Sequence, residues 1–474
     1  MKQRESRTSV RWSGVWWLSA AALLGGVVMS AGPVDFRHGD LRVSANHRFL
    51  EQADGTPFFY LGDTAWELFH RLTNDEAVKY FDDRASKGFT VIQAVVLAEY
   101  DGLGTPNAEG QRPLTDNDPG KPNEAYFRHV DRIVELARER GLIIGMLPTW
   151  GDKVVKAWGT GPVIFTTENA RAYGRFLGSR YHDAPNILWI LGGDRDATGV
   201  ENVWREMAAG LREGDHGKHL MTFHPTGAQS SSQRLHNEAW LDFNMLQSGH
   251  HKLDIDNYKM IEHDYQLTPA KPCIDGEPRY ENHPINWKPE NGWFNDYDVR
   301  QAAYWAVFAG ALGHTYGCHD IWQMKTPERV AVSSARGDWR ESLHLPGAAQ
   351  VGYLRRLMLS RPFLSRVPDQ TLIAGGQGEG AGHLQATRGD GYAFVYTPLG
   401  NPVTVALGKI GGARVKAWWF DPRTGRSSAL GDYANQGTRE FTPPGERGRG
   451  HDWVLVLDDA ARGFAEPGAL QADR

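Results

Sequence analysis

The chain has 474 residues, 41% of them hydrophobic, so it exceeds one ordinary domain and can bury a sizeable core. A net charge of −5 without any basic block argues against nucleic acid as a partner. Two cysteines, Cys273 and Cys318, exclude a disulfide framework, and both fall in predicted strands as buried thiols. The 17 Trp and 16 Tyr serve a core first, but flat rings also stack on the C–H faces of sugars.

Residues 1–31 read as a secretory signal. Lys2, Arg4, Arg7 and Arg11 precede an apolar run over 15–29 and the small residues Ser30, Ala31 and Gly32. Cleavage there predicts a secreted or periplasmic protein. The alternative is an uncleaved anchor, because residues 12–29 are almost long enough to span a bilayer. No cysteine near the cleavage region offers a lipid attachment point.

Next come two short strands, 41–44 and 48–52, leading to a turn at residues 53–56, read as a hairpin plugging a barrel floor. Residues 58–63 form a buried strand ending in Asp63, with Trp66 just beyond. Thr73 to Glu76 carries helix-start chemistry, and apolar residues then follow at helical spacing until Gly88. Further predicted strands cover 89–97, 142–147, 186–191, 220–223, 243–247, 271–277 and 315–318. Helical segments cover 126–140, 168–181, 200–212, 258–265, 299–311 and 349–359. Eight near-continuous apolar strands alternating with helices describe an α/β fold, a TIM (β/α)8 barrel over residues 36–360. A doubly wound sheet is disfavoured, since no glycine-rich phosphate loop follows the first strand. The long connection 99–124 reads as a lid or substrate loop. After residue 361 only short strands and turns occur, which predicts a small antiparallel β-sandwich over 361–459, followed by a disordered tail over 460–474.

The predicted strand ends collect polar groups. Catalytic roles are assigned to Asp194 and Glu277. Substrate binding is assigned to Asp63, Trp66, Gln93, Trp150, His224, Gln247, His250 and His319. At the C-terminal tips of barrel strands these side chains converge on one crevice. Asp194 follows Gly192-Gly193, and Pro278 ends the strand that carries Glu277, since proline cannot donate to a sheet ladder. On strands four and seven the two acids face each other across the mouth. Glycoside hydrolysis needs such a pair, one protonating the leaving oxygen while the other attacks or activates water. Each acid alone could instead pair with a neighbouring arginine, Arg195 or Arg279. Asp275 reads as a buried hydrogen-bonding group, and Glu281 as loop structure or a fallback acid. Histidines 224, 250, 251 and 319 invite a metal reading, but no short zinc motif is present. A serine hydrolase lacks its Gly-x-Ser-x-Gly elbow. No cofactor is required, and the expected partner is an oligosaccharide or polysaccharide. A non-catalytic carbohydrate-binding barrel is the alternative of another class.

Taken in order, FYLGDTAWELFHRL, GFTVIQAVVL, GMLPTWGDK, ILWILGGDRD and DGEPRYE resemble the apiosidase-like glycoside hydrolases, glycoside hydrolase family 140. The likeness covers roughly residues 41–359. It implies a retaining mechanism on plant-type polysaccharide side chains, with release of apiose from galacturonic acid in pectic rhamnogalacturonan II. It also implies Asp194 as general acid/base and Glu277 as nucleophile. Related barrels usually carry Asn-Glu at the end of strand four. Gly193-Asp194 stands there instead, with a side chain one methylene shorter. C-terminal domains of such relatives are often called collagen-binding; a sandwich that buttresses the barrel is the reading adopted for this one.

Overall fold

Eight parallel strands form the N-terminal domain of the computed structural model, which describes residues 32–469. They are β1 (Tyr60–Thr64), β2 (Val91–Val95), β3 (Ile143–Leu147), β4 (Ile187–Gly192), β5 (Met221–His224), β6 (Asn244–Gln247), β7 (Cys273–Asp275) and β8 (Gly313–Tyr316). Strands run in the order β8-β1-β2-β3-β4-β5 through one parallel ladder, and β6 pairs with β7 in a second. Backbone hydrogen bonds close the two seams. Asp242 N–H donates to Met221 O between β5 and β6, and Leu312 N–H donates to Cys273 O between β7 and β8. The result is the expected barrel.

Side chains alternate between two cores because successive strand residues point to opposite faces. Tyr60, Val91, Val95, Ile143, Leu188, Met245 and Ile274 fill the barrel interior. Phe59, Leu61, Ile92, Ile144, Trp189 and Cys273 face the helices. A three-stranded antiparallel sheet (Leu41–Val43, Leu50–Gln52, Pro57–Phe58) sends Leu50 and Phe58 into the interior core, so the predicted floor hairpin gains a third strand.

Local chemistry sets the helix starts. Thr73 and Glu76 form a reciprocal capping box on helix Asn74–Ser86, satisfying two N–H groups that have no partner within the helix. Helices Thr167–Tyr181 and Glu201–Asp215 flank β4. They lie so close that a Cβ on Gly174 would sit 2.4 Å from Met207 O, and one on Gly210 2.1 Å from Arg171 O. That contact braces the strand carrying Asp194.

The C-terminal domain packs a six-stranded antiparallel sheet over the pair Val403–Ala406 and Thr438–Phe441. Strands Arg426–Ala434 and Thr438–Phe441 escaped the sequence reading because most of their residues are exposed and polar, leaving little apolar alternation. Three other expectations are corrected. Cys318 lies just past β8, N-capping the short helix His319–Trp322. The 99–124 connection is no free lid, because Leu103 and Leu114 are buried in the helix-facing core and only its first residues approach the barrel mouth. Finally, residues 460–469 of the supposed disordered tail dock on the domain. Arg361 stacks on Phe464, and Gly468 N–H donates to Ser360 Oγ at 3.2 Å. Residues 470–474 and residues 1–31, where a signal was expected, lie outside the described residues.

A buried ionic junction ties the domains together. Arg300 Nη2, in helix Asp296–Phe308, lies 2.8 Å from Asp452 Oδ1, and both side chains are 1% exposed or less. Arg300 also donates to Gln350 Oε1, while Tyr396 Oη–H donates to Asp452. Tyr304 stacks on Tyr396, and Phe308 on Phe394, around this junction. Arg300 keeps Asp296 at 2.6 Å when Asp452 is removed but loses its fully buried partner, so Asp452→Ala should lose about 1–3 kcal/mol in urea unfolding while the domains still melt together. Two separate transitions in the wild type would show that the junction does not couple them.

Candidate active site

Glu277 lies at the centre of the barrel mouth, 7% exposed. His250 Nε2 is 3.0 Å from its Oε1, and His224 Nε2 is 3.0 Å from its Oε2. Burial alone would push the carboxyl up, but the interactions with His224 and His250 outweigh it and bring the group down to about 2. His224 ends β5. Its Nδ1 accepts the backbone N–H of Asp194 at 3.3 Å, which leaves Nε2–H for Glu277. One imidazole therefore touches both acids.

Asp194 sits two residues past β4 in the left-handed region at φ 55°, behind Gly192 and Gly193 at 89° and 117°. A Cβ at Gly192 would lie 2.3 Å from His224 O, and one at Gly193 2.8 Å from the Trp150 ring. Only glycines let the chain turn there. The Asp194 carboxyl is pushed up to about 6, first by burial and then by the Glu277 charge, with His224, Arg195 and the Trp158 hydrogen bond opposing. Trp158 Nε1–H donates to Oδ2 at 3.2 Å and Arg195 Nη1 to the same oxygen at 3.3 Å. The arginine pairing anticipated for Asp194 is thus present. Glu277 makes none with Arg279, which donates to Gln301 Oε1 instead.

Around the acids the cavity is lined by Trp66, Glu99, Tyr100, Trp150, Gln247, His250, Tyr280, His283, Trp287, His319, Trp322 and Ser333. Trp66 and Trp150 meet at 5.1 Å, and His224 lies edge-on to Trp66 at 5.3 Å. Gln247 Oε1, Trp150 Nε1 and Tyr280 Oη are buried without a hydrogen-bond partner. A hydroxyl-rich ligand would satisfy such groups. His319 lines the wall but is held by Ser333 O and the Trp322 indole N–H; burial lowers it to about 4. His251 is absent from the lining. Among the described residues no group of three His, Cys, Asp or Glu side chains is arranged to hold a metal ion.

Two residues assigned to sugar binding serve elsewhere. Asp63 shares strand parity with Leu61 and so points into the helix layer. There it is fully buried, 2.5 Å from Arg84 and 2.6 Å from Tyr80 Oη. Gln93 points inward below the cavity, where its amide donates to Gly276 O at 3.0 Å and supports the Gly-Glu-Pro turn. Asp275 accepts from Ser248 Oγ and Asn257, the hydrogen-bonding role expected of it. Glu281 is buried against Tyr316 Oη and Gly347 N–H, off the cavity wall and raised to about 7 by burial. It serves structure, not catalysis.

Sequence reasoning missed Glu99, Tyr100, Tyr280, His283, Trp287, Trp322 and Ser333. Strand-end polarity could not find them because they sit beyond the strand ends, on loops or, for Trp287 and Trp322, in short helices. The cluster of rings directly after Glu277 was the available signal. Glu99 is raised to about 7, chiefly by burial; Arg195, 3.2 Å away, opposes this, while Asp194 and Asp152 add to it.

Two carboxyls of opposed proton affinity at the mouth of a (β/α)8 barrel, beside an aromatic cavity with unpartnered polar atoms, define a barrel glycoside hydrolase. Residues 44–365 match the family model "Apiosidase-like, catalytic domain", and the chain belongs to that family. Residues 367–458 match "Putative collagen-binding domain of a collagenase". A solved structure titled "Glycoside hydrolase" is 37% identical with a TM-score of 0.86, covering 92% of this chain and 100% of its own. A glycoside hydrolase family 5 protein from Bacteroides vulgatus is 36% identical at 0.87, covering 92% and 98%. A second Bacteroides vulgatus structure shares the fold at 15% identity and a TM-score of 0.66, covering 89% and 83%. No curated protein sequence matches the chain.

The Asp63 reassignment has a measurable consequence. Asp63→Ala should cost about 1–3 kcal/mol in chemical unfolding, because Arg84 Nε and Tyr80 Oη lose their buried acceptor while Arg84 keeps Asp83, with KM unchanged in the protein that folds. A raised KM at wild-type stability would return Asp63 to the substrate site.

Proposed function

We propose that this glycoside hydrolase works by retention, removing a sugar from plant-type polysaccharide side chains with apiosidase-like specificity. Glu277 acts as nucleophile and Asp194 as acid/base. The carrying observation is the opposed state of the two carboxyls. Glu277, held ionised between two imidazoles, is a weak base, which suits direct attack on the anomeric carbon better than activation of water. Asp194 keeps its proton into mildly acidic solution. Both donors that reach it fall on Oδ2, so the transferable proton sits on Oδ1.

In the first step a Glu277 oxygen bonds the anomeric carbon as the glycosidic bond breaks and Asp194 gives its proton to the departing oxygen. In the second, Asp194 takes a proton from water, which attacks the same carbon and frees Glu277. His224 bonds the Asp194 backbone and contacts Glu277, fixing their relative position through both steps. Trp66, Trp150, Gln247, His250 and His319 surround the bound sugar. The aromatic wall and the unpartnered polar atoms support a carbohydrate ligand. The plant-type substrate rests on family membership. Export and cleavage of residues 1–31 rest on their signal-like pattern, and N-terminal sequencing of the mature protein tests them.

Glu277→Gln should lower turnover at least about 1,000-fold with folding intact. Near-wild-type activity in that variant would sink the mechanism. Incubation with a panel of plant and bacterial polysaccharides, read by the monosaccharide released, identifies the sugar. Proton NMR of the first-formed anomer should then show retention; an inverted first product would reassign Glu277 as base.

The pH profile follows from the two carboxyls. Glu277 must be ionised, so kcat/KM rises through about pH 2. Asp194 must be protonated, so it falls through about pH 6. A plateau extending well above neutrality would exclude Asp194 as the acid.

A further inference from the structure

Most of the large aromatics among the described residues are buried, yet at the rim of the site the Trp158 indole is 53% exposed and Trp287, in the cavity lining, 50%. Trp158 is nonetheless held in place. Arg195 covers one face at 4.1 Å, its Nη2 bonds the Trp158 carbonyl, and the indole N–H reaches Asp194 Oδ2. The backbone beyond is pinned as well, since Gly161 N–H donates to Asp152 Oδ2 at 2.8 Å. A rigid indole with one face on a guanidinium and much of its surface in water is a stacking platform without an occupant.

Position decides what it would receive. The lining of the sugar cavity does not include Trp158, but Trp158 contacts the carboxyl that protonates the departing oxygen. The group leaving with that oxygen must therefore lie on the solvent side of Asp194, beside this ring. We propose that Trp158 is the leaving-group platform: the sugar on the departing side of the bond stacks on its indole, while its N–H holds Asp194 Oδ2 and turns Oδ1 toward the glycosidic oxygen. The substrate class follows. The scissile bond joins two sugars, not a sugar to a small alcohol. The inference rests on the acid/base reading of Asp194 proposed above.

The N–H contact gives Trp158 a second, separable effect. It favours the ionised form of Asp194, as His224 and Arg195 do, against burial and the Glu277 charge. Beyond Arg195 lie Glu99, Asp152 and Lys153, the last on Asp152 at 2.8 Å. None of these changes when Trp158 becomes phenylalanine, so that variant should raise the affinity of Asp194 for its proton and move the basic limb of the profile to higher pH by about half a unit.

Two variants separate platform from donor. Trp158→Phe keeps a flat ring and loses the N–H; Trp158→Ala loses both. On the polysaccharide identified by the panel, the alanine variant should fall at least about tenfold below the phenylalanine variant in kcat/KM. On the methyl glycoside of the released sugar, whose leaving group cannot stack, the two should be equal. A ratio the same on both substrates overturns the platform, as does a panel from which no sugar is released. In full-length protein labelled with 5-fluorotryptophan, the 19F resonance missing from Trp158→Phe should titrate with Asp194 and lose that titration in Asp194→Asn. A Trp158 resonance insensitive to that substitution overturns the contact. This readout needs no substrate, so it stands if the catalytic reading fails, a failure that wild-type activity in Asp194→Asn would reveal separately.

Discussion

The contact between one buried carboxylate and two imidazoles is the constraint on which the site depends. Taking the Glu277 charge out of water costs several kcal/mol, and the cost is offset by the His250 hydrogen bond on Oε1 and by the His224 imidazole 3.0 Å from Oε2. His224 comes from the end of β5 and His250 from the loop after β6, so donors and acceptor are delivered by three adjacent strand ends. Rings behind them hold this arrangement. His250 stacks on His283 at 4.5 Å and lies 4.4 Å from Tyr280. Burial drives His283 far down in proton affinity, so it packs there as a neutral ring.

From that contact the division of labour between the acids follows. Once Glu277 is ionised, its charge opposes ionisation of Asp194 nearby, and burial adds to the effect. His224 is the mechanical link, because it meets the backbone of one acid and the carboxylate of the other. Backbone shape does the rest. Gly192 and Gly193 carry the chain against His224 and Trp150 where no side chain fits, which brings the short Asp194 side chain to the mouth.

The C-terminal sandwich contributes stiffness. Its strands stack Tyr396 and Phe394 on helix Asp296–Phe308, and Asp452 neutralises Arg300 within it. That helix packs against β8 and also holds Arg279 through Gln301. Movement of the sandwich would therefore reach the segment carrying Glu277. Its family match carries a collagen-binding description, and its contacts with the barrel include those on helix Asp296–Phe308.

Much of this protein was legible in its sequence, for definite physical reasons. Buried parallel strands must be apolar throughout, glycine and proline punctuate their ends, and polar residues just past those ends gather at the mouth. The barrel, the pair Asp194 and Glu277, and the aromatic site were readable on those grounds. Strand parity, traceable in the alternating cores, would also have turned Asp63 toward the helices; the acid at its strand tip drew attention first. Tertiary structure alone decided the rest. It set that Asp194 meets Arg195 while Glu277 meets two imidazoles and no arginine, that Gln93 supports a turn below the cavity, and that loop residues as far apart as Glu99, Trp158 and Trp287 come to rim one site. Those outcomes depend on contacts between segments remote in sequence, and no local periodicity encodes the distance between two loops.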